Sequence, residues 1–233
     1  MPGKETKRQR KELAKNQRMQ MQRRMARRKT MTKIYVGVGA IVVIAGIVVA
    51  VMLSSKANHD KVAKQNAAVD SLASAVSCGG TVQAPTDEGR EHVTTGQPVQ
   101  YHQNPPTSGN HWISSTPPFA PGPTGVLTSQ PQDEVYVHNL EHSHMGIWYD
   151  AAKLPADVKA ALEDFTNKNK TAVFMAPRAS FGAELAFTSW DHYLKCGATL
   201  KDDPSKVAGL AKAYHDAHKG DGPEGFITGS PAS

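Results

Sequence analysis

The chain has 233 residues, with 27 Lys and Arg against 21 Asp and Glu, and its formal charge of +6 and pI near 9.3 would ordinarily raise nucleic acid as a partner. That average conceals a split: thirteen basic and two acidic residues precede position 34, so fourteen basic and nineteen acidic ones follow it, joining a tail of +11 to a remainder of −5. No specific nucleic-acid partner is therefore expected, and about 140 residues remain for a packed core, enough for one domain and not for two.

Residues 1–33 form the basic tail. They combine Glu, Lys, Gln, Arg and Met, all good helix formers, with almost no apolar stripe, so they cannot bury a core. Their expected role is to set topology, drawn to anionic lipid headgroups by about 1 kcal/mol per basic residue near the surface. Residues 34–53, IYVGVGAIVVIAGIVVAVML, hold no charge. An apolar run of about 20 residues crosses a hydrocarbon core of roughly 30 Å, and a basic flank stays cytoplasmic. The pattern predicts a single-pass transmembrane helix with its N-terminus in the cytoplasm and the rest outside. A cleaved signal peptide is the alternative, but the apolar run is long for one and VMLSSKAN is a poor cleavage site.

Residues 54–77, rich in Ala, Ser and Lys, read as a helical or mobile stalk. Cys78 and Cys196 are the two cysteines, and in an oxidising compartment they pair most simply as one disulfide bracing the start of the domain against its last strand. Two thiolates serving a metal or a redox cycle are the alternative, without a C-x-x-C to support them. From Cys78 to Leu127 the punctuation is Pro and Gly, as in QNPPTSGNHW and STPPFAPGPTG, a composition of turns and extended segments. EVYVHNL, HMGIWYD, TAVFMAP and ELAFTSW then read as β-like stretches between Glu134 and Trp190, with an amphipathic helix at 156–168. A last helix is expected from Ser205 to His218, followed by a loose tail. The fold expected is α+β: a small mixed domain at 78–200 with a short antiparallel sheet, irregular Pro-rich segments and two or three helices behind the membrane span, and a C-terminal helix and tail at 201–233.

Nine of the ten histidines lie beyond residue 90, and three fall in HNLEHSH, followed by Met145. On a strand, His138, His142 and His144 would share a face. Neutral imidazole suits Zn, Cu, Fe or Ni, and a thioether shifts the choice toward Cu(I). His102 and His111 in YHQNPPTSGNHW are further candidates, with Asp133, Glu134 and Glu141 as acceptors orienting the rings. Packing networks of hydrogen-bonded histidines and direct acid/base catalysis remain open beside metal binding. His192 is expected at the surface or in a structural role, and His215 and His218, three apart on the last helix, are expected in solvent. His138 to His142 also spell H-x-x-E-H, the pattern of a zinc hydrolase with Glu141 activating water; that chemistry needs a helix, whereas the flanking residues are β-branched and aromatic.

Pro105-Pro106-Thr107-Ser108-Gly109-Asn110-His111, then Val137-His138-Asn139-Leu140-Glu141-His142, then Ala186-Phe187-Thr188-Ser189-Trp190 and Cys196, resemble the bacterial domain-of-unknown-function family 3105 over roughly residues 78–200. The resemblance implies a bacterial membrane-anchored or secreted domain without an established activity. The sequence departs from the pattern after LEH, where the family often has Gly and Ser143-His144-Met145 stand here, so His144 and Met145 gain no support from it. Pro105-Pro106 would stiffen an arm that sets His111 opposite His138 and His142. The expectation is one divalent or cuprous ion, copper before zinc, on His111, His138 and His142, with His102, His144 and Met145 as extra candidates. A non-catalytic accessory subunit contacting another membrane protein, and a metal-dependent hydrolase using Glu141, are the competing functions; an enzyme is not the first expectation.

Overall fold

The computed structural model describes residues 7–113, 121–197 and 203–229; the Pro-rich stretch at 114–120 lies outside them. Two units are delimited, one up to Asp60 and one from Lys61 onward. Helix α1, Lys7–Ala75, is built from the Ala, Lys, Arg, Gln and Met that favour helix. The predicted span at 34–53 lies within α1, and its side chains at 34, 36–38 and 40–42 are outside the described residues. Among the described residues no helix is long and apolar enough to cross a membrane, so the predicted anchor is not shown.

The second unit is organised by a five-stranded sheet of order β3-β5-β4-β6-β7, comprising β3 (Gly125–Val126), β4 (Met145–Tyr149), β5 (Val173–Pro177), β6 (Leu185–Ser189) and β7 (His192–Cys196). The sheet is mixed and not purely antiparallel as expected: β3, β5 and β4 pair parallel, while β4, β6 and β7 pair antiparallel. Parallel neighbours need a long crossover, and α3 (Ala156–Lys168), found where its apolar spacing predicts, supplies it between β4 and β5.

Both sheet faces are covered, which is why the strands read as nearly unbroken apolar runs. Met145, Ile147 and Tyr149 of β4, with Val173 and Met175 of β5, pack among residues of α3, of α4 (Pro204–His218), of the end of α1 at Val69 and Ala73, and of Val76 just beyond it. The alternate residues, Trp148 of β4 and Phe174 and Ala176 of β5, meet Tyr136, Val137 and Leu140. Those last three belong to α2, Asp133–Glu141, which contains the segment EVYVHNL expected as a strand. The correction has a tertiary cause. Residues 136, 137 and 140 form one helical stripe over Trp148 and Phe174, Asp133 and Glu134 stand in the first turn where the helix dipole favours acids, and burial outweighs local β propensity.

Cys78 and Cys196 are bonded, with an S–S distance of 2.09 Å across 118 residues. Helix α4 starts where Asp203 accepts from the Ser205 amide at 2.8 Å. The tail after His218, expected to be loose, is instead tied to the end of α2 and to the turn between α3 and β5: Glu224 N–H donates to Glu141 O at 3.3 Å, and Gly229 N–H donates to Thr171 O at 2.9 Å. A small parallel pair, β1 (His92–Val93) and β2 (His111–Trp112), completes the unit and sets His92 directly beside His111.

Candidate metal centre

Because α2 is a helix, His138 and His142 lie one turn apart on the same face, and their Nε2 atoms are 3.0 Å apart. Glu141 reaches the other way. Its Oε2 lies 2.9 Å from His111 Nε2 and 3.2 Å from His92 Nε2. The five residues form two groups sharing one carboxylate, His92–His111–Glu141 and His138–Glu141–His142, with the ligand atoms of each group within 4.8 Å of one another. Either group can hold a metal ion.

The arm carrying His111 is fixed by main-chain bonds. Tyr136 Oη donates to Pro106 O at 3.0 Å, Tyr101 Oη donates to Asn110 O at 2.7 Å, and Gly109 N–H donates to Gly89 O at 2.8 Å. Gly109 has φ +124°, and a Cβ there would lie 2.7 Å from the Tyr101 ring, so glycine is required on two counts. The arm then orients its own histidine: His111 Nδ1–H donates to Gly109 O at 2.8 Å. From the other side His142 Nδ1–H donates to Gly225 O at 3.2 Å. A carbonyl can only accept, so both rings carry a proton on Nδ1 and turn Nε2 inward, the orientation metal-ligating imidazoles take when a backbone carbonyl holds Nδ1–H.

Electrostatics favour a neutral His138. Burial, reinforced by the charges His142 and His111 would carry, lowers the His138 pKa to about 3. Burial pushes the Glu141 carboxyl up, but the hydrogen bond and charge of His111, followed by those of His92, outweigh it and leave the pKa below the usual range. Glu141 Oε1 is buried and has no hydrogen-bond partner among the described residues. The centre is enclosed: the His111 side chain is 0% exposed and that of Glu141 1%, while His92 keeps 30% of its side chain in solvent.

The structure therefore brings together His111, His138, His142 and Glu141, and adds His92. It separates the other candidates. The His102 side chain is 88% exposed and pairs with Glu88. His144 Nε2–H donates to Ile227 O at 2.7 Å, with its ring against Phe226. Met145 lies in the apolar core. Of the acidic residues, Asp133 pairs with Arg178, and Glu134 accepts from the Val99 amide. A separate group, His192, His218 and Asp221, joins β7 to the end of α4; His218, expected in solvent, is buried there, and Asp221 accepts from its Nδ1–H at 2.8 Å. His92 was missed because its signal is a parallel pairing across nineteen positions, which leaves no local periodicity to read.

One consequence is acid lability of the metal-free chain. Burial lowers the pKa of His138 to about 3 and that of His144 to about 4. Below the ordinary His pKa of about 6.5 the unfolded state takes up protons that the folded state refuses, so stability present above pH 6.5 is lost as pH falls toward those values. Each such proton removes up to about 1.4 kcal/mol per pH unit. Denaturant midpoints measured from pH 7 to pH 4 should fall steadily, and a His144→Gln variant should show a shallower decline; a flat profile would contradict the assignment.

A family model described as "Protein of unknown function (DUF3105)" matches residues 92–227, from β1 to the segment packed on α2, and so takes in all five residues of the centre. No curated protein and no solved structure matches the chain.

Proposed function

The chain belongs to the DUF3105 family, and we propose that this member is an extracytoplasmic protein that binds a divalent transition-metal ion in the buried His/Glu centre. The observation that carries the reading is the inward turn of His111 and His142, whose Nδ1 atoms are both held by main-chain carbonyls, around a carboxylate with an unpartnered oxygen. A cation in the centre would satisfy that oxygen and the inward nitrogens together. The donors are all nitrogen and oxygen, which suits Zn(II), Cu(II), Fe(II) or Ni(II). The case for Cu(I) rested on Met145, whose place in the apolar core removes it, so zinc now stands before copper. The disulfide agrees with an oxidising compartment, and residues 34–53 remain our proposed anchor in the bacterial membrane on the strength of their uncharged run.

A hydrolytic role has one observation in its favour, since H-x-x-E-H does lie on and just beyond a helix. Against it, Glu141 faces His92 and His111 in a buried setting and not an open ligand position. Metal binding without turnover fits better.

The test is elemental analysis of the full chain in detergent after loading with Zn(II) or Cu(II) and gel filtration. Retained metal that falls in the His138→Ala/His142→Ala variant is the expected result. A wild-type chain that retains none under either loading would leave these histidines a hydrogen-bonded network and shift the function to an accessory role.

A further inference from the structure

We infer that the centre is built for two metal ions bridged by the Glu141 carboxylate, an inference that rests on the metal reading above. The donors come as two independent two-imidazole clamps. Helix periodicity creates the first, His138 and His142, whose ring centroids are 4.8 Å apart. The parallel register of β1 and β2 creates the second, His92 and His111, also 4.8 Å between centroids. Glu141 is the carboxylate common to both groups.

Its two oxygens are used unequally. Oε2 is taken by the strand pair, whereas Oε1 is buried without a partner. Leaving a buried acceptor unsatisfied is unfavourable, and more so for a charged group. A single ion with three or four protein ligands leaves at least one of the five donors unused. Two ions use all of them, each with two imidazoles and one carboxylate oxygen; ions so bridged sit about 3.5–4 Å apart. Further negative charge is at hand, because Glu224 lies 3.9 Å from His142 Nε2 with its side chain 47% exposed.

The experiment uses the full chain in detergent, stripped with chelator, reloaded with Cu(II) and desalted. Copper per chain is measured by elemental analysis, and the paramagnetic signal is integrated by electron paramagnetic resonance. Two ions per chain, with a signal well below that of the copper present because bridged ions couple, is the expected result. His92→Ala and the His138→Ala/His142→Ala pair should each reduce the content to one ion and restore the full signal; Glu141→Gln should restore the signal as well. His92 is part-exposed on a two-residue strand, so its variant tests the second ion even where the helix variant fails to fold. One ion in the wild type, lost in the helix variant, overturns the bridge and leaves the metal reading standing. Two ions that both survive His92→Ala would place the second elsewhere, at His192, His218 and Asp221 for instance, and overturn the inference. No ion in the wild type defeats both.

Discussion

Replacing Cys78 and Cys196 together by alanine is expected to lower the stability of the unit from Lys61 onward by about 4–5 kcal/mol, the loop-entropy value for a closure of this length. The bridge spans 118 residues, and the sheet, the His/Glu centre and α2 and α3 all fall between its ends. Without it the unfolded chain regains the freedom of about two thirds of the unit. The native side loses little, because main-chain bonds hold the same seam: Gly197 N–H donates to Cys78 O at 2.8 Å, and Gln83 exchanges a pair of bonds with Tyr193. Gly80 passes so close to the Lys195 carbonyl that no side chain fits there. The alanine pair should therefore keep the native fold while its guanidinium midpoint falls, and a reduced wild type should behave alike. A domain stability of about 5–15 kcal/mol makes this a large share. If the midpoint moved by less than about 1 kcal/mol equivalent, the seam and not the covalent link would be what joins the two ends.

What could be read from the sequence was what local pattern determines. The 156–168 helix carries its own apolar period, the segments that became β4, β5 and β6 are short apolar runs, and two cysteines in one chain leave one pairing. The centre was legible in part for the same reason, since HNLEH and PPTSGNH are contiguous strings. Its geometry was not. Val135, Tyr136 and Val137 favour strand locally, and the Trp148 and Phe174 surface that turns them into helix comes from β4 and β5. His92 enters through a strand register, and the loose-looking GDGPEGFI acts through main-chain carbonyls, which no side-chain motif advertises.

That last segment yields the second large effect. Gly222→Ala should release residues 222–229 from α2 and weaken metal binding about 10–100-fold, the usual cost of removing a group that orients a ligating histidine. A Cβ at Gly222 would lie 2.7 Å from the Leu140 carbonyl and nearer still to the Glu141 carbonyl and the Ser143 amide. All three are backbone at the end of a helix packed under the sheet, so none can give way, and the added methyl must lift the segment instead. Overpacking of this kind costs about 1–3 kcal/mol. With it go the Gly222 amide bond to Ser143 Oγ at 3.1 Å and the Glu224 amide bond to Glu141 O at 3.3 Å. The Gly225 carbonyl then leaves His142 Nδ1, whose ring is free to change tautomer and turn Nε2 away. Hydrogen exchange should speed up at Glu224 and Gly229 while β4 and β5 stay protected, and zinc affinity should drop in the same variant. Gly209→Ala is the control: it lies exposed on α4 with nothing within 4 Å, and should stabilise the helix by up to about 1 kcal/mol without touching the metal. Should the Gly222 variant keep wild-type protection at Glu224 and wild-type zinc affinity, the close approach at Gly222 would not be what seats the segment, and His142 would owe its orientation to the metal alone.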